Sequence, residues 1–106
     1  MLSDGLLSEV QNLGSRLGRT ASQAVGYREL ARFYLMTRTK PAEALLLIRK
    51  AVDMNNSAKN FYLLSFACEI NKDQQGAIEA IRRALELEPN NEDYKKIFQR
   101  LSKQEK

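Results

Sequence analysis

Residues 58–89, AKNFYLLSFACEINKDQQGAIEAIRRALELEP, decide the fold. Two apolar runs are separated at Asp73 and closed by Pro89, which predicts two short helices folded against each other. Short side chains at Ser65, Ala77 and Ala84 mark places where two helices can approach closely, and Phe61, Leu64 and Ile81 fill the space beside them. Such a unit cannot bury its apolar face alone, so the flanking sequence is expected to repeat it.

The flanking sequence does repeat it. Tyr27 and Phe61, Leu30 and Leu64, Ala31 and Ser65, and Tyr34 and Cys68 are each 34 residues apart. Phe61 and Tyr94, Leu64 and Ile97, and Cys68 and Leu101 are each 33 apart, so one first-helix pattern is written three times. In the second helix, Ala44 and Ala77, Ile48 and Ile81, Ala51 and Ala84, and Val52 and Leu85 are also 33 apart. The change from 34 to 33 predicts one extra residue in the turn at 36–40, recovered near 55–57, where solvated backbone absorbs it cheaply. A recurring period of this length is the signature of a repeat architecture.

Phe61, Leu64-Ser65, Cys68, Ala77, Ile81 and Pro89 occupy the places of the tetratricopeptide repeat pattern, which the chain resembles over residues 24–101. The resemblance implies an all-α, right-handed solenoid of antiparallel helix pairs. Repeat one would cover about 24–57, repeat two about 58–91, and a capping helix about 92–104, within a repeat domain of 20–106. Residues 1–19 read as a degenerate leading helix: Leu6, Val10, Leu13 and Leu17 share a helical face, weakened by Gly5, Gly14 and Gly18. That stripe would cover the first repeat or engage a second copy in a homodimer.

Local signals place the helix ends. Thr20-Ala21-Ser22-Gln23 fits a capping box opening a first helix to about Thr37. Pro41 is tolerated only in a first turn, so a second helix starts there and runs to about Met54. Asn55-Asn56-Ser57 is expected to supply a turn and the cap of the next helix, Asp73 is an expected cap, Pro89-Asn90-Asn91 a stop, and Glu92 and Asp93 complement the dipole of the last helix. The terminal SKQEK is polar and expected to fray.

The chain has 106 residues, 43% hydrophobic and 28% charged, within the range of one globular domain. It has no apolar run long enough to span a bilayer, and its opening lacks the basic leader and long apolar core of a signal peptide. Its one cysteine, Cys68, excludes an intramolecular disulfide and falls at a core position. Histidine is absent, which removes the usual general base, a common metal ligand and every Ser-His or Cys-His pairing. Neither an enzymatic activity, a cofactor nor a metal is expected, and no residue assigns a compartment.

The resemblance further implies a concave face lined by first helices, used by family members to bind extended or helical peptides of partner proteins. The matching positions are Arg28, Arg32 and Leu35, then Lys59, Tyr62, Phe66, Glu69 and Ile70, then Lys95, Gln99 and Ser102. Tyr62 and Phe66, four apart, are expected to anchor a partner side chain, with Arg28 and Arg32 taking a carboxylate; the alternative is that the leading helix covers the rings. The family's clamp for a C-terminal carboxylate is not matched: Arg28 and Lys96 are basic, but Arg32 and Leu63 stand for its asparagines and Glu92 for a lysine. Nucleic-acid binding is the rival class, resting on a net charge of +4 and on Arg49-Lys50 and Arg82-Arg83. Glu43, Asp53, Glu79, Glu86 and Glu88 dilute that stripe, so it reads as a mixed solvated surface.

Overall fold

The helix boundaries follow from local chemistry. In the computed structural model, which describes residues 20–104 and their side chains from Gln23 onward, α1 is Thr20–Thr37, α2 Pro41–Met54, α3 Ala58–Ile70, α4 Gln74–Leu87 and α5 Glu92–Gln104. No strand occurs among the described residues. Pro41 opens α2, where its missing N–H is no loss. The Ser57 hydroxyl accepts from the Asn60 N–H at 3.1 Å, the Asp73 carboxylate from Gly76 at 2.9 Å, and the Asn91 amide oxygen from Tyr94 at 3.0 Å. The leading helix expected over 1–19 and the capping-box side chains at Thr20 to Ser22 lie outside the described residues.

The period is visible in the hydrogen bonds. At the end of α1, Thr39 N–H donates to Tyr34 O and Arg38 N–H to Leu35 O; at the end of α3, Asp73 donates to Cys68 and Lys72 to Glu69. These are the same two bonds 34 residues on, and they form the Schellman closure that satisfies terminal carbonyls. It requires a left-handed residue, supplied by Arg38 (φ 56°) and Lys72 (φ 69°). Asp73 then serves twice, closing α3 and capping α4. In the first repeat those roles fall to two residues, since Thr39 closes α1 while the Lys40 carbonyl begins α2 by accepting from Ala44. That is the expected extra residue.

Each helix packs against the next, and α1 also touches α3. A first core joins Tyr27, Leu30, Ala31, Tyr34 and Leu35 to Ala44, Leu47, Ile48 and Ala51, and to Leu63 and Ala67 of α3. A second joins Phe61 and Cys68 to Ala77, Ile81, Ala84, Tyr94 and Leu101. The small residues are buried as expected, with Ala44, Ala51, Ala77 and Ala84 fully excluded from solvent. Ser65 is more than small: its hydroxyl donates to the Ala77 carbonyl at 2.9 Å, joining α3 to α4.

Two expectations are corrected. Leu35 was expected off the packing face and lining the groove; it is 1% exposed, in one core with Leu63 and Ala67. Its place is a seam between successive first helices, which the sequence fills with Leu35 in one repeat and Glu69 in the next. Leu63, aligned with a groove asparagine, is likewise buried, while Leu64 is only partly so and packs on both cores.

Candidate functional site

Tyr62, Phe66 and Glu69 follow one another at steps of four and three, so they share a face of α3. That face looks toward α5. At one end Tyr62 stacks on Tyr94, ring centroids 5.5 Å apart and planes 23° from parallel. At the other, Arg100 donates two hydrogen bonds, of 2.5 and 3.0 Å, to the Glu69 carboxylate. Between them lies a groove of about 200 Å³ lined by Tyr62, Ser65, Phe66, Glu69, Ile97 and Arg100. Through Tyr62 and Ile97 it continues into an open depression of about 670 Å³ bordered by Lys59 and Lys96 and by Glu88 and Asp93.

The groove is apolar along its floor and charged at its ends. Phe66 is half-buried, and the Arg38 guanidinium lies 5.7 Å from its ring centroid, a cation–π contact between the α1 turn and α3. The Glu69 carboxylate raises the Arg100 pKa still further from its ordinary value by accepting its hydrogen bonds. Burial pushes the Tyr94 phenol up, helped by the charge of Glu88.

Of the residues expected at a binding surface, Tyr62, Phe66 and Glu69 come together here. Arg28 and Arg32 lie on α1 and both engage Glu29, at 3.2 and 3.1 Å. Burial alone would raise the Glu29 pKa, but those hydrogen bonds outweigh it and hold the carboxyl below its ordinary 4.5. Lys95 pairs with Glu92 at 3.3 Å, and Gln99 is exposed on α5 away from the groove lining. Two residues that help shape the site, Arg100 and Arg38, were not anticipated. Arg100 and Glu69 are 31 residues apart, Arg38 and Phe66 are 28 apart, and no local pattern announces such pairs.

The opposite surface carries a second cleft, about 410 Å³, between α2 and α4, lined among others by Arg49, Asp53, Glu79, Arg83 and the Cys68 side chain. Burial pushes the Cys68 thiol up, reinforced by Asp73 and softened by Arg49, so it is a poor nucleophile near neutral pH. Arg82 pairs with Glu79 at 2.9 Å and Arg83 with Glu86 at 3.4 Å, so much of the basic stripe is neutralised locally. Among the described residues no cluster of three potential metal ligands occurs, and no helix is long and apolar enough to cross a membrane. No protein-family model matches the chain, and no curated protein matches it.

Proposed function

We propose that the chain is a tetratricopeptide-like right-handed solenoid, acting as a non-catalytic module that binds a partner protein's extended or helical peptide. The groove between α3 and α5 is the site. The observation that carries this reading is the continuity of two half-buried aromatic rings, Tyr62 and Phe66, with Ile97 along one open trough. Apolar anchors of this kind supply most of the energy of a small interface, while flanking charges of both signs, Lys59 and Lys96 beside Glu88 and Asp93, orient the bound segment. Nucleic-acid binding through the outer face is less well supported, because Glu79 and Glu86 engage the arginines it needs.

The test is peptide selection by phage display against the whole chain, followed by titration of the selected peptides. Phe66→Ala should weaken binding about tenfold or more, and Tyr62→Ala with Phe66→Ala about thirtyfold or more, as expected for central anchors. Unchanged affinity in the double variant would place the interface elsewhere.

A further inference from the structure

Among the described residues, the repeat identifies a stacking surface with no helix against it. Where α2 lies against α3, two side-chain amides fix the register: Asn60 Nδ2 donates to the Ala51 carbonyl at 3.3 Å, and Asn71 Nδ2 to the Pro41 carbonyl at 2.9 Å. Helix α3 meets the preceding helix pair with Leu63, Ala67 and Ile70, which join or pack on the first core. Thirty-four residues earlier the same places on α1 are Glu29, Phe33 and Met36. Phe33 is 55% exposed and Met36 61%. On α4, Glu79 lines the cleft toward α2; thirty-three residues earlier its place is taken by Leu46, 64% exposed. Scattered apolar residues on a surface need no explanation, but here three large ones occupy positions that the second repeat turns toward the first.

We propose that residues 6–17 of the same chain cover this face as a half-repeat, standing to α1 as α2 stands to α3. Length permits it. Helix α2 takes 14 residues and the turn 55–57 takes three, and nineteen residues precede Thr20. Register permits it as well. Moved back by the period, the Ala51 to Asn60 contact becomes Leu17 facing Gly26, and the Pro41 to Asn71 contact becomes Leu7 facing Thr37. Val10 then falls opposite Phe33, and Gly14 opposite Glu29. A position without a side chain leaves the Glu29 carboxylate free to keep both arginines. Ala44 and Ala67 share the first core, and Val10 and Phe33 hold the places one period earlier. Covered in this way, the first repeat cannot serve as a template for end-to-end stacking of further copies.

Hydrogen exchange on the full chain tests this, with mass from light scattering at a low and a tenfold higher concentration. The expected result is at least tenfold protection of amides in residues 6–17, independent of concentration, in a monomer. Phe33→Asp with Met36→Asp should abolish that protection and leave α3 and α4 protected. Should the double variant also strip α3 and α4, Val10→Asp takes its place, with the same loss expected in residues 6–17 alone. The proposal is overturned by unprotected amides in the unsubstituted chain or by protection that survives the substitutions. Protection that rises with concentration alongside a dimer mass also overturns it, and assigns the face to a second copy.

Discussion

At the scale of single residues, the least obvious features are the two left-handed positions. Arg38 and Lys72 hold a backbone conformation in which a Cβ is unfavourable and glycine is the usual occupant. Lys72 is exposed, so Lys72→Gly should raise stability in urea by about 0.5–1 kcal/mol. Arg38→Gly relieves the same strain but gives up the contact with Phe66, worth about 0.5–1 kcal/mol, and should gain little or nothing. Equal gains for both would mean the cation–π contact contributes nothing. Glu29 offers a pH readout. Its folded-state pKa is depressed, so its contribution is present above the ordinary 4.5 and is lost as pH falls through the lower folded value. Carboxyl titration by NMR should show Glu29 protonating below that value in the unsubstituted chain. In Arg28→Ala, Arg32→Ala it should move up, since burial alone then remains.

At the scale of helices, the close approaches rest on alanine and the junctions on amides. Ala77 and Ala84 are wholly buried where α4 meets α3, so Ala77→Leu and Ala84→Leu should each cost about 1–3 kcal/mol through overpacking, measured by urea unfolding. Asn60 donates to the Ala51 and Asn55 carbonyls at the end of α2, and Asn60→Ala should cost about 1–3 kcal/mol because the clamp between the buried Ala51 carbonyl and the turn is lost. Of these, the alanines were legible in the sequence and the asparagine was not. Small residues recurring at a fixed period have one physical reading, close packing, and Pro41, Ser57 and Asp73 act within a few residues of themselves. Asn60 sits beside the polar turn Asn55-Asn56-Ser57, where an amide in solvent and a buried clamp look alike in sequence. The same limit applies to the groove. The period put Tyr62, Phe66 and Glu69 on one face, but the Tyr94 and Arg100 contacts that shape it depend on how α5 docks. That docking is helped by the Gln74 amide donating to the Leu101 carbonyl at 2.7 Å, a pairing across 27 residues. Leu35 follows the same limit: its helical phase is that of Glu69, and only the way the following helix docks decides that the leucine is buried against Leu63 and Ala67 while the carboxylate stays partly exposed to meet Arg100.

At the scale of the whole molecule, the question is what a chain of net charge +4 does with it. Long-range attraction to a polyanion depends on unpaired positive charge held in one array, since each cation that neutralises a phosphate releases a counterion. Here the charge is divided. Arg28 and Arg32 share Glu29, Arg82 and Arg83 pair with Glu79 and Glu86, Lys95 pairs with Glu92 and Arg100 with Glu69, and these residues lie on four different helices. The pairs are exposed or partly exposed and individually weak, about 0–1 kcal/mol each, so a phosphate backbone at low salt can compete for the arginines. At physiological ionic strength, with a screening length of about 8 Å, that competition fades. Fluorescence anisotropy with labelled single-stranded RNA should therefore show weak association at low salt that collapses as salt is raised, with no preference among unrelated sequences. A sub-micromolar, sequence-selective complex at physiological salt would mean that the outer cleft between α2 and α4, rather than the aromatic groove between α3 and α5, is the working surface.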